Sequence, residues 1–155
     1  MKTVGSSPIR QVSAYPLTTN GGAGFAISLD DARPWRLGVL HSPLRVVVDV
    51  GGATTSDSIA VYSPRGGETS RSVTISGFAR VFEATVSWRI KDSAGREVAK
   101  GFTMASIGTS PLWGSFQTTA TIPANVSGNV ALEVFWASPR DGADLRLVRI
   151  PLTVR

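Results

Sequence analysis

The sequence predicts an all-β protein, and three observations carry that prediction. Short runs alternate apolar and polar residues, most cleanly from Ala84 to Lys91. There Ala84, Val86, Trp88 and Ile90 fall on one side, and Thr85, Ser87, Arg89 and Lys91 on the other. Side chains of a strand point to opposite faces with period two, so this run is a strand with one buried and one wet face. Sixteen Gly and nine Pro are spread along 155 residues, which suits short strands joined by tight turns. No long window shows helical periodicity.

Taken in order, residues 1–7 are small and polar, and are expected to be loose. Ile9 to Tyr15 reads as a strand ended by Pro16. Thr18 to Gly22 is a turn cluster around Asn20-Gly21. Ala23 to Leu29 follows, with Phe25, Ile27 and Leu29 in phase. After the polar loop Asp30 to Pro34, Trp35 to Leu40 reads as a strand, and His41-Ser42-Pro43 as a turn. Leu44 to Val50 is the most apolar strand, and its run of Val predicts cover on both faces. Gly51 to Asp57 is small and polar. The chain is therefore expected to divide into a β segment at 1–52, a linker at 53–57 and a second domain at 58–155.

The second part holds seven strand runs: Ile59–Ser63, Ser72–Ala79, Ala84–Lys91, Arg96–Ala105, Gly114–Ile122, Asn129–Ala137 and Leu145–Val154. Asp92-Ser93-Ala94-Gly95 turns the third into the fourth: Asp opens turns through its side chain and Gly accepts positive φ. In the last run Leu145 and Leu147 share one frame, and Val148, Ile150, Leu152 and Val154 the other. That one-residue switch predicts a β-bulge near Leu147, with Arg146 and Arg149 both facing water. Seven short strands with a Trp on the third predict an immunoglobulin-like β-sandwich. The chain has no cysteine, so its core must hold by packing alone.

Several segments carry a family resemblance. They are Val61 to Pro64, Ser76 to Ala84, Asp92 to Gly95, Trp113 to Phe116, Val134 to Gly142 and Ile150 to Leu152. In this order and spacing, residues 58–155 resemble the immunoglobulin-like domain of bacterial spore germination proteins. Residues 9–50 resemble the closing strands of the AMIN-like domain of actinobacterial envelope lipoproteins, through Gly24 to Leu29, Pro34 to Leu37 and Ser42 to Val50. The earlier half of that domain has no counterpart here, so the chain is expected to begin inside it. The resemblance implies an exported, often lipid-anchored envelope protein without enzymatic activity, its signal or lipobox lying upstream.

The residues themselves exclude several chemistries. Net charge is +5, but the basic residues are scattered without aromatic interleaving, so no nucleic-acid surface is expected. No stretch is long and apolar enough to span a bilayer as a helix. The only His, His41, has no partner near it in sequence, and reads as an ordinary loop residue. Asp141 and Asp144 offer too few oxygens for calcium. No phosphate-binding Gly-rich loop, serine elbow or nucleophile–base set occurs. No cofactor or metal is expected, and no enzyme.

Four Trp remain. Trp88 and Trp136 are in phase with apolar faces and belong to the core. Trp35 and Trp113 sit at strand starts and are the aromatics to test for binding. The expected function is a non-catalytic cell-envelope module that binds a partner protein or cell-wall polymer. Its rival is a glycan-binding module on a wall hydrolase. That rival requires exposed Trp rings along one surface, whereas a protein partner requires an apolar patch or open strand edge. The strands of 9–50 bury too little alone, so they are expected to form a small sheet covered by the sandwich or, in a homodimer, by a second copy.

Overall fold

The computed structural model describes residues 9–17, 22–30, 33–51, 54–108 and 111–155. The chain divides into two compact units, Met1–Gly51 and Gly52–Arg155.

The first unit holds two separate antiparallel ladders where one sheet was expected. β1 (Ile9–Pro16) pairs with β2 (Ala23–Leu29), and β3 (Trp35–His41) with β4 (Leu44–Val50). Residues 18–21, the core of the expected Asn-Gly turn, lie outside the described residues. His41 ends β3, paired with Leu44, and the turn is only Ser42-Pro43. Arg36 and Asp49 face each other across the second ladder and form an ion pair at 2.8 Å. Within this unit the run from Leu44 keeps much of its apolar surface exposed. Leu44 is 73 % exposed and Val46 69 %, and Leu37, Val39 and Phe25 are also exposed. The ladder leaves that surface bare for a simple reason. An apolar run favours extended backbone, but a two-stranded ladder has no second layer to cover it.

The second unit is a sandwich. One sheet has the order β10-β9-β12-β13-β7, and the other β11-β8-β6-β5. The strands are β5 (Thr54–Thr55), β6 (Ile59–Ser63), β7 (Gly67–Thr69), β8 (Ser72–Ala79), β9 (Thr85–Lys91), β10 (Glu97–Met104), β11 (Gly114–Thr121), β12 (Gly128–Ala137) and β13 (Asp144–Val154). The seven expected strands are present within two residues at each end. Two short edge strands join them. β5 falls in the expected linker 53–57, where Thr54 pairs with Val61 and Thr55 with Ala60. β7 begins at Gly67, right after the positive-φ Gly66, and runs parallel to β13.

Alternation becomes burial here. Val86, Trp88 and Ile90 meet Val130, Leu132 and Val134 from β12, and Val73, Ile75 and Phe116 from the facing sheet. Trp88 is 8 % exposed. Its cross-strand partner is Gly101, and a Cβ there would lie 2.6 Å from the indole; only glycine leaves room for the ring. Asp92 closes the β9–β10 turn by accepting from the Ala94 and Arg96 N–H groups, both at 2.9 Å. The bulge is real: Val134 pairs with Val148 but Trp136 with Leu145, and Arg146 takes φ 58°. Arg146 and Arg149 are both exposed.

Candidate binding site

Strand directions gather three connections at one end of the sandwich. Ala79 pairs with Gly114, Met104 with Thr85 and Ala137 with Asp144, and Phe135 beside Ser87 brings the last pair alongside. The connections 80–84 and 138–143, and the described residues 105–108 and 111–113, therefore share this end.

The first connection is tightly wound. Phe82–Ala84 forms a 3-10 turn, so β9 starts at Thr85 and not at Ala84. Glu83 and Ala84 take φ 56° and 58°, a left-handed region that costs a non-glycine residue about 1–2 kcal/mol. Its neighbours hold it there. The Ala105 N–H donates to the Ala84 carbonyl at 2.8 Å. A Cβ on Gly108 would come within 2.7 Å of the Ala84 nitrogen, and one on Gly114 within 2.3 Å of the Ile107 nitrogen. Ser106 and Ser115 bond each other twice through the backbone, with the Ser106 N–H to the Ser115 carbonyl at 2.8 Å and the Ser115 N–H to the Ser106 hydroxyl at 2.9 Å. Arg80 donates from Nε and Nη2 to the Asp57 carbonyl at 3.0 and 2.8 Å, and its guanidinium lies 4.8 Å from the Trp113 ring centre. This framework presents Phe82, 60 % exposed, and Leu112, 59 % exposed. Ile107 is also exposed. An exposed apolar group on a rigid frame fits a binding surface better than a solvated loop.

The two Trp singled out by sequence have different settings. Trp35 is exposed on β3 of the first unit, and Trp113 is half-buried under Arg80 in the second. Trp88 is core, and Trp136 packs partly buried against it. Sequence reasoning missed Phe82 and Leu112, because a loop has no period to mark an apolar residue as displayed. The available signal was their place beside turn residues, Glu83 and Pro111.

The third connection is occupied with its own geometry. Asp141 accepts from the Ala143 N–H at 3.2 Å. Bonds from Ser138 and from that backbone N–H hold its carboxyl below the usual range. Asp144 pairs with Arg89.

Charge collects on the outer face of the five-stranded sheet. Burial pushes the Glu133 carboxyl up, but bonds from Arg89 at 2.7 Å and Lys91 at 3.1 Å outweigh it and hold it below the ordinary range. The Arg89 guanidinium is shifted up chiefly by its bond to Asp144, against burial and with help from Glu133. It also lies 4.6 Å from the Phe135 ring centre. A carboxylate kept ionised among cations is a poor general acid. Among the described residues, no group of three or more His, Cys, Asp or Glu converges to hold a metal.

Comparison with curated proteins finds no match. A family model, Gmad2, described as the immunoglobulin-like domain of bacterial spore germination, matches residues 58–143. The match runs from just before β6 to the end of the connection after β12, and leaves out β5 and β13. It leaves the AMIN-like reading of residues 9–50 resting on resemblance alone. The matched stretch is more than half of the chain, which therefore belongs to the Gmad2 family of immunoglobulin-like domains.

Proposed function

We propose that this chain is a non-catalytic module of an exported envelope protein, and that it holds a partner protein through the loop end of its sandwich. The observation that carries the reading is Phe82, exposed beside the strained turn at Glu83 and Ala84, with Leu112 exposed in the next connection at the same end. Polar groups near that end serve the fold: Arg80 holds the Asp57 carbonyl, and Asp141 holds its own turn. The glycan reading has less support, because Arg80 covers part of the Trp113 face and Trp35 belongs to the other unit. Extracytoplasmic placement and a lipid anchor follow from the family resemblance. By resemblance the strands of 9–50 are assigned to an AMIN-like domain, and a second copy of the chain is a suitable cover for them.

A photo-crosslinking amino acid at position 82, introduced in the host bacterium, tests this. The expected product is one discrete adduct with an envelope protein, absent when the probe stands at Thr119 on the opposite sheet. Adducts with peptidoglycan, or the same products from both positions, would overturn the reading.

A further inference from the structure

The turn that leads into β6 lies at the same end of the sandwich as the three connections. Ile59 pairs with Ala79, so Ser56 to Ser58 sit beside the connection 80–84. The chain enters the sandwich here through β5, which pairs with β6 at only two positions. Beyond those pairs, the turn is fastened from two sides. On one side stands the bulge of β13. The Ser56 hydroxyl donates to the Arg146 carbonyl at 2.7 Å, and Arg146 Nη1 donates to the Asp57 carboxylate at 2.8 Å. Bulges re-aim side chains, and this one turns Arg146 of the five-stranded sheet onto a turn of the other sheet. On the other side stands Arg80. Its backbone N–H donates to the Ser58 carbonyl at 2.9 Å, and its Nε and Nη2 both hold the Asp57 carbonyl.

The fastening on the β13 side is light. The Asp57 side chain is 80 % exposed and that of Arg146 49 %, and an ion pair so well hydrated adds little. Two ladder pairs and an exposed ion pair open at low cost. Arg80 ties the turn to the displayed surface, because the guanidinium that grips Asp57 also lies over the Trp113 ring. Trp113 directly follows Leu112, which is exposed at this end. We infer that Thr54 to Ser58 form a releasable strap that controls the loop end. Closed, the strap holds the Arg80 guanidinium over Trp113 and so fixes Leu112. Released, it leaves that guanidinium without its acceptor, and Trp113 and Leu112 are free to move. The strap gives the loop-end site a means of regulation and rests on that reading for what binds there, but its test needs no partner.

The test is NMR of the full chain, labelled with ¹⁵N, in two variants at exposed fastenings. Ser56→Ala removes the hydroxyl bonds without altering charge, and Arg146→Ala removes the ion pair. In each, the Arg80 amide should exchange with solvent about two- to fivefold faster, the range expected for an exposed fastening. The Leu112 amide and the Trp113 indole N–H should shift along one line in both variants, and further in the one whose Arg80 amide exchanges faster, as a single opening equilibrium requires. Arg149→Ala, an exposed cation of the same strand outside the strap, should leave both peaks in place. Faster exchange at Arg80 with Leu112 and Trp113 unmoved overturns the inference, because the turn would then fasten without controlling. Unchanged exchange at Arg80 in both variants overturns it too, as does an equal shift in Arg149→Ala. A missing adduct at position 82, with these peaks moving as expected, would defeat the partner reading and leave the strap standing.

Discussion

Leu44 and Val46 of the first unit stand in solvent, whereas Val130 and Leu132 of the second, from an equally apolar run, are buried. Both runs form strands and both find a hydrogen-bonding partner. They differ in what lies above them. In the sandwich a second sheet covers each inner face, and every Å² removed from water returns roughly 25 cal/mol. In the two ladders of the first unit the pairing is complete but much of the apolar surface is bare. A two-stranded ladder of that kind is marginal in water. Pairing is therefore a local property that both units solve, and cover is a tertiary one that the sandwich solves within itself. The functional consequence is a rigid second unit, able to support a strained turn at Glu83 and Ala84 and to display Phe82.

The comparison breaks first at Trp88. Trp88→Ala should lower the unfolding free energy of the sandwich by about 3–5 kcal/mol, because it empties a site with no side chain at Gly101 to fill it. A thermal melt reads this directly, and a midpoint that hardly moves would sink the claim that cover decides stability.

A smaller loss is expected at the outer charge cluster. Glu133→Gln leaves Arg89 and Lys91 without their shared carboxylate and should cost about 1–3 kcal/mol in denaturant unfolding at neutral pH. The pH dependence fixes the sign. The folded Glu133 carboxyl is held below its reference value of 4.5. Its stabilising contribution is therefore complete above that value and is lost as pH falls through the lower, folded one. The gap between the parent chain and Glu133→Gln should narrow below about pH 4.5. Asp92 and Asp141 are also held below their ordinary range, but they are the same in both proteins, so the difference isolates Glu133. A gap unchanged on acidification would show that the loss at neutral pH came from packing.

The smallest effect belongs to the first unit. Leu44→Ser and Val46→Thr should change the melting of the chain by no more than about 0.5 kcal/mol, as exposed positions do. A drop as large as that of a buried leucine would mean that this face is covered in solution, as by a second copy. Sedimentation at two concentrations would then distinguish a dimer.

How much of this was legible depended on whether a period existed to be read. Trp88, its hairpin through Asp92 and the bulge at Leu147 follow from alternation, turn chemistry and a change of frame. Thr54–Thr55 and Gly67–Thr69 were not legible, since two or three residues carry no period and only their neighbours define them. Glu133 stands opposite Arg89 on the outer face of β12, yet it is buried. Arg89, Lys91 and Arg149 come over it from strands far away in sequence, which no local pattern reveals. Phe82 and Leu112 lie in connections, where an apolar residue has no assigned side until the loops are folded together. What covers Leu44 to Val50 was not legible for the opposite reason: composition marks a run that favours burial, and nothing in the run itself supplies the layer.

Native-state hydrogen exchange on the whole chain tests most directly the claim that stability and the displayed binding end reside in the second unit. Backbone amides of β9 and β12 should be protected by a factor approaching that for global unfolding, while amides of β3 and β4 exchange through local opening at far lower cost. Comparable protection in β3, β4, β9 and β12 would contradict the account, because it would place both units under one shared cover.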